Sequence, residues 1–498
     1  CQGQILLANS NNPLPQSTDV ALPGPDAQAV EAANQSKQIV LDDGTNYQFL
    51  KADRDKPLPY IDVDYPISVG AEAEFIGGVI LDYRFNTWAF QPTSMQQGFE
   101  GSPVAFENSR PRVPAEVGGD IQIGTFNVLN YFVTLGEDEA GCKTYTDREG
   151  NRIATNYCTV RGAYTPESLQ RQEIKIVKAL NALDADAIRT AFIYKNASVA
   201  PVGESIILDE ENGSAFVGTA RSPLAQQFKT VNAPEGMLDN EFVVINNHFK
   251  SKGSVLPGAG NEDSGDGQGA NNAARVAQAQ QLAAFGNEFE DLPVFLVGDF
   301  NSYTMEDPIR TLEDAGYTNL SASSNSYSYV YSGRAGSLDH IIANAAGAEM
   351  MTGFDYWMIN ANEALTLEYS RYNYTVPLLY QDDLYRASDH NPAKLGLNIF
   401  TEDEGEEPTE PSDPTESTEP SEPTEPTEPT EPSEPTDPVE PTNPDDQTDD
   451  VDTPTSDEPS KPDTDLPKTG VDAGTLAIAT VLLAIAGGIT VWMRRKAQ

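Results

Sequence analysis

Several apolar runs in this chain stop abruptly at a short polar motif, and that pattern limits what it can fold into. Val294-Phe-Leu-Val-Gly-Asp-Phe-Asn301 has four apolar residues and a glycine before Asp299 and Asn301. Phe242-Val-Val-Ile-Asn-Asn-His248 and Ile121-Gln-Ile-Gly-Thr-Phe-Asn127 follow the same plan. A short apolar run bounded by glycine and polar residues reads as a buried strand. Strand segments are expected at Ile121–Val128, Glu241–Ile245, Val294–Val297 and Leu338–Ala343. Helices are expected over Leu169–Leu183, with a stripe of Leu169, Ile174, Val177, Leu180 and Leu183, and over Ala273–Phe285. Strands and helices mixed in this way predict a layered α/β domain over residues 113–400.

The chain has only 3 histidines, and each lies in a polar motif beside an apolar run. Histidine titrates near neutral pH and is the usual proton-transfer residue. His390 follows Asp389 and precedes Asn391-Pro392, whose proline keeps Asn391 extended. Asp339, between apolar neighbours, needs a partner if buried. A histidine from elsewhere would satisfy it and gain basicity. His340 points to the opposite face and is read as structural. In extended chain Asp299 and Asn301 share a face, able to orient a water and a phosphate oxygen, while Phe300 packs. Asn127 is either a turn residue or a ligand for a metal-bound water or phosphate oxygen. His248 with Lys250 and Lys252 forms a small cationic cluster suited to phosphate. Asp263 and Asp266 lack a regular calcium-ligand spacing and read as a solvated insertion loop.

The formal net charge is −46, so bulk attraction cannot recruit a polyanion, and any nucleic-acid contact must be local or cation-assisted. About half of that excess lies between Thr401 and Asp465, where Glu-Pro-Thr and Glu-Pro-Ser repeat. With little apolar surface to bury, residues 401–465 are expected to form an extended stalk. Residues 1–112 read as a small β-rich module, expected to be barrel-like, with helix at Asp26–Ala33 and its own start missing. Cys142 and Cys158 are close enough to close a loop as a disulfide, and Cys1 is left over. Over residues 466–498, Leu-Pro-Lys-Thr-Gly470 precedes an apolar stretch, Ala473 to Trp492, and a basic tail.

That C-terminus resembles the sorting signal of Gram-positive surface proteins. It implies a transmembrane segment before sorting, sortase cleavage after Thr469, attachment to peptidoglycan and an extracellular, wall-anchored location. The series Thr-Phe-Asn127, Asn-His248-Phe-Lys-Ser-Lys, Gly-Asp299-Phe-Asn, Ser-Leu-Asp339-His and Ser-Asp-His390-Asn-Pro resembles the endonuclease/exonuclease/phosphatase superfamily. Ala220-Arg221-Ser-Pro-Leu and Ile359-Asn-Ala-Asn-Glu363 are similar to its bacterial extracellular nucleases of the ExeM/NucH type. The resemblance implies a four-layered α/β sandwich after an oligonucleotide-binding-like module, and divalent-cation-dependent cleavage of nucleic-acid phosphodiesters. Magnesium is the implied ion, with calcium or manganese as alternatives. Carried over, His390 is the base oriented by Asp339. Asp299 and Asn301 position water and phosphate, Asn127 and Asp389 belong to the metal shell, and His248 stabilises developing charge. Lys250, Asn301 and Arg221 contact the phosphate.

One departure is severe. Relatives continue from the Leu-Asp-Ala-Asp segment into a strand ending in a metal-binding glutamate, and return to an Ile-Arg-x-Ala-x-Ile-Tyr strand much later. Here Leu183-Asp-Ala-Asp-Ala-Ile-Arg-Thr-Ala-Phe-Ile-Tyr194 fuses the two. The alternatives are therefore a phosphatase or phosphodiesterase of the same fold, or a catalytically silent surface protein that binds nucleic acid or a host component.

Overall fold

The computed structural model describes residues 3–403, apart from 50–52, 54–55, 85, 141–144, 147–151, 154–161, 185–186, 189–191, 210–213 and 370–378. Cys142, Cys158, the stalk from residue 404 onward and the sorting signal with Thr469 lie outside the described residues, whereas Thr401–Glu402, expected to open the stalk, pairs as a strand with Met237–Leu238. Among those described, no helix is long and apolar enough to cross a membrane. The described residues all belong to one compact unit, Cys1–Glu410.

Two sheets carry the larger part of this unit. One has six strands in the order Val199–Ile207, Arg221–Thr230, Glu241–His248, Val294–Asp299, Asp339–Ala343 and Thr318–Asn319. The other has five, in the order Ile193–Tyr194, Ala187–Ile188, Ile121–Thr125, Ala393–Leu397 and Met351–Tyr356. Strand alternation sorts their apolar residues into two cores. Phe242, Val244, Phe295, Val297, Ile341 and Ala343 of the first sheet meet Ile121, Ile123, Tyr356, Leu395 and Leu397 of the second. The opposite parity, Val243, Ile245, Val294, Leu296 and Ile342, packs under helices Asn272–Gly286 and Asp307–Asp314 through Ala279, Leu282, Ile309 and Leu312. Burial on both faces explains why Val294–Asp299 is apolar without alternation.

Helix Pro166–Leu183 completes the layering. It packs Ile176, Ala179 and Leu183 against Phe126, Trp357 and Ile359. Phe126 and Trp357 have the opposite parity to Ile123 and Tyr356, so they face away from the inter-sheet core. Helix, sheet, sheet and helix thus follow in order, the four-layer α/β arrangement. The helix stripe differs from the one expected. Its buried face is Ser168, Gln172, Lys175, Ile176, Ala179 and Leu183, and Val177 is exposed. Lys175 is buried because Asp383 and the Tyr385 carbonyl receive its ammonium, and Gln172 because its amide donates to the Leu129 carbonyl. Thr165 caps the helix by accepting from Ser168 N.

The first 112 residues form a four-stranded sheet, Ile5–Ala8, Gln38–Leu41, Thr87–Pro92 and Val79–Arg84, and a ladder of Glu72–Phe75 with Val104–Glu107. Leu41, Tyr60 and Val104 centre their core. A helix longer than expected, Pro25–Lys37, begins with proline at its first turn, where the missing N–H costs nothing. The segment does not stand apart. Arg334 pairs with Glu31, and Gly24 N donates to the Asp266 carbonyl.

Candidate active site

Register across the six-stranded sheet lines up four polar residues. Arg221 pairs with His248, His248 with Asp299, and Asp299 with Asp339. Paired residues in a sheet lie side by side on one face. His248, Asp299 and Asp339 share parity with Val244, Val297 and Ile341, so they point into the end of the space between the sheets. The five-stranded sheet closes that end. Thr125 pairs with Ala393, which brings the chain after Thr125, with Asn127, beside the chain before Ala393, with Asp389 and His390. Ser388 Oγ donates to the Asn127 carbonyl and ties those two segments together.

The contacts are short and specific. His390 Nδ1 lies 2.6 Å from Asp339 Oδ2, and both side chains are under a tenth exposed. Asp299 Oδ1 accepts from Asn301 N at 2.8 Å, and its Oδ2 accepts from Asn127 Nδ2 at 3.2 Å. His248 Nε2 is 3.8 Å from Asp299 Oδ2. Asn301 Nδ2 donates to the Phe249 carbonyl at 3.1 Å, and the residue takes a left-handed φ of 47°. Gly298 makes the approach possible. At its φ of 129°, a Cβ would meet the Asn247 carbonyl oxygen at 2.1 Å. Arg221, Asn127, His248, Asp299 and Asp339 line a cavity of about 110 Å³.

Several residues take other places. His340 lies on the opposite face, where its Nε2 donates to the Ser302 carbonyl at 2.9 Å. Lys250 is turned away from the cavity and gives its ammonium to the carbonyls of Ser251 and Gly253, so the expected phosphate contact is corrected. A buried ammonium must find acceptors, and those of its own turn are nearest. Lys252 pairs with Glu306, so it also leaves the cationic cluster expected around His248. Asp263 and Asp266 accept from Gly265 N and Gln268 N, as turn residues do.

The groups that grip Asp339 come from outside its own motif. Ser328 Oγ accepts from Asp339 N at 3.0 Å, and Tyr356 Oη donates to the Asp339 carbonyl at 2.6 Å. Tyr329 covers the His390 ring with centroids 4.6 Å apart. Asn391 Oδ1 accepts from Ile359 N, Asn360 N and Ala361 N. Asn391 stands within the Ser-Asp-His390-Asn-Pro motif, whereas Ser328, Tyr329 and Tyr356 stand in none of the motifs.

Crowded carboxylates set the electrostatics. Burial opposes charge on His390, but Asp339, Asp389 and Asp299 outweigh it and raise the imidazole to about 10. Burial raises Asp299 to about 7, with His390 opposing and Asp339 adding to the rise. Burial, then the charges of Arg221 and His390, push His248 down to about 3, so it is a neutral hydrogen-bond donor.

Asp299, Asp339 and His390 bring ligand atoms within 4.8 Å of one another. Asp339 and His390 are committed to each other, however. Asp299, Asp389 and the side-chain oxygen of Asn127, which also accepts from Leu129 N, make an oxygen set of the kind a hard divalent cation takes. The donor types fit, and the excess of buried negative charge invites a cation. The number of carboxylates is small. Among the described residues Ala187–Ile188 pairs with Ile123–Gly124, and Ile193–Tyr194 runs back beside it. Glu173 accepts from the Tyr131 hydroxyl, and the exposed Asp184 pairs with Lys195. Among the described residues, none of these supplies a further carboxylate beside Asn127. Asp186 lies outside them.

No family model matches the chain, and no curated protein matches it. Several solved structures are similar. An endonuclease/exonuclease/phosphatase family protein from Bacteroides thetaiotaomicron is 13% identical, with 55% of this chain and 96% of that one covered and a TM-score of 0.34. A mannosyl-6-phosphatase from the same organism is 13% identical, over 56% and 100%, with a TM-score of 0.30. The human Nocturnin catalytic domain with bound sulfate is 13% identical, over 57% and 93%, with a TM-score of 0.31. Values this low decide nothing by themselves.

Proposed function

We propose that the chain is built as a cation-assisted phosphodiester hydrolase of the endonuclease/exonuclease/phosphatase type, acting on nucleic acid outside the cell. The convergence of Asp339, Asp299, Asn127 and His248 from two sheets onto one cavity, with His390 held on Asp339, carries this reading. Asn127, Asp299 and Asp389 would hold the cation, magnesium best suiting an oxygen-rich, water-bearing site. When bound, it supplies positive charge that neutralises the carboxylates, lowers His390 toward its neutral form and polarises a phosphoryl oxygen.

The chain's own residues do the rest. Asp339 holds His390 Nδ1 and leaves Nε2 to accept a proton from the attacking water. Asp299, fixed by Asn301 N and Asn127 Nδ2, orients that water. Neutral His248 and the Arg221 guanidinium face the same cavity and donate to phosphate oxygens. The fused segment Leu183–Tyr194 favours a weak site, because it contains no glutamate to add to the set around Asn127. Cleavage of DNA and RNA with magnesium, with and without EDTA, tests the reading. Cleavage that persists in EDTA contradicts it.

The sorting-type C-terminus supports wall attachment through Thr469, with sortase and peptidoglycan as partners. In a sortase-positive Gram-positive host, wall hydrolase should release the protein and detergent should not. Release by detergent alone, with the apolar tail intact, contradicts that assignment.

A further inference from the structure

The N-terminal segment reaches the loops that carry the site. Ala335 N donates to the Leu14 carbonyl at 2.8 Å, and Gln16 N to the Ala335 carbonyl at 2.7 Å. One turn on, Met305 N donates to the Thr18 carbonyl at 2.9 Å, and Thr18 Oγ1 to Glu306 Oε1 at 2.7 Å. Between these contacts Asp19 Oδ1 accepts from Thr304 N at 3.2 Å, Thr304 Oγ1 at 2.8 Å and Ser337 N at 3.2 Å. Thr304 follows Asn301 in one loop, and Ser337 precedes Asp339 in another. One carboxylate oxygen from outside the two-sheet body therefore bridges both loops.

The bridged loops also touch directly. Phe300 N donates to the Leu338 carbonyl at 2.8 Å, and His340 Nε2 to the Ser302 carbonyl at 2.9 Å. Ser337 Oγ accepts from Ser328 N, and Ser328 Oγ accepts from Asp339 N. Movement at Ser337 is thus passed to the residue that orients His390. We infer that Asp19 is a positioning residue: it locks the Thr304 and Ser337 loops together and so holds the Asp339–His390 pair in register. Hydrogen bonds to a charged acceptor are the stronger kind, which suits a bridge between two loops. A site held this way is preorganised by its surroundings rather than by its own strands.

The consequence for catalysis rests on the role proposed for His390, but the geometry can be tested without turnover, so the two can fail separately. With 3 histidines in the chain, selective ring labelling gives few nuclear magnetic resonance signals, and His390→Gln assigns the relevant one. The His390 Nδ1 proton, held at 2.6 Å heavy-atom distance by Asp339, should appear at low field. Asp19→Ala should abolish that resonance through exchange with water while the fold persists by circular dichroism. Asp19→Asn keeps an oxygen that accepts from both loops and should retain it. If Asp19→Ala does not fold, Asp19→Ser, too short to reach both loops, replaces it. A low-field resonance unchanged in the Ala or Ser variant overturns the inference. So does its equal loss in Glu31→Gln, which loosens the same segment at Arg334 without touching the bridge.

Discussion

Asp339 and His390 approach to 2.6 Å from different sheets, so one ion pair both orients the candidate base and joins the sheets at the site. Removing one partner of a buried pair leaves the other uncompensated, at a cost of about 3–5 kcal/mol. Asp339→Asn should therefore lower unfolding free energy by roughly 3 kcal/mol near neutral pH. Urea unfolding of the two proteins measures it. A change under about 0.5 kcal/mol, the size of ordinary surface substitutions, would refute the pairing.

The same pair sets a pH dependence. His390 is raised in the folded state to about 10 from an ordinary 6.5. The folded protein binds this proton more tightly, so its stabilisation is complete below pH 6.5 and is lost as pH rises through about 10. Lys252, lowered by burial to about 8, contributes the opposite slope between that value and its ordinary 10.5. The difference between wild type and His390→Gln isolates the histidine. Their stabilities should converge between pH 6.5 and 10, and a constant gap would contradict the shift.

Gly298→Ala should fail at the backbone. The added Cβ would fall 2.1 Å from the Asn247 carbonyl oxygen, on a strand buried on both faces and at a φ that suits glycine. Overpacking alone costs about 1–3 kcal/mol, and positive φ adds to it. A thermal midpoint within a degree of wild type would show that the turn is not as described.

Asn391 holds the Ile359–Ala361 backbone through three N–H donors and gives its own amide to the Tyr327 carbonyl. Ile359 N keeps the Trp357 carbonyl as a second acceptor, so Asn391→Ala strands the buried Asn360 and Ala361 N–H groups, each costing about 1–3 kcal/mol. Asn391→Asp keeps the accepting oxygen and should lose less. Thermal melts should rank Asn, Asp, Ala in falling order, and an Ala variant as stable as the Asp variant would contradict the clamp.

These contacts show what a sequence can carry. The strand ends were legible because each apolar run and its polar motif are adjacent in the chain, and strand parity then fixes which side chains share a face. The buried stripe of helix Pro166–Leu183 was not, because Lys175 is buried by Asp383, 208 residues away. Lys250 misled for a related reason. A lysine beside a histidine reads as one cluster, but a short turn supplied the carbonyls that draw the ammonium away. Ser328, Tyr356 and Asp19 carry no motif, and their roles exist only once distant loops are packed.

The proposed function describes a phosphodiester-cleaving site that lacks one acidic ligand. Its most direct test is the rate of magnesium-dependent DNA cleavage by three proteins: the chain itself, a graft restoring the strand and its glutamate after Ile188, and the same graft with alanine for that glutamate. The chain and the alanine graft should cleave slowly or not at all. The glutamate graft should cleave, stop in EDTA, and lose a factor of about 10²–10⁴ on His390→Ala. A glutamate graft no faster than the alanine graft, or cleavage that survives His390→Ala, would contradict the account.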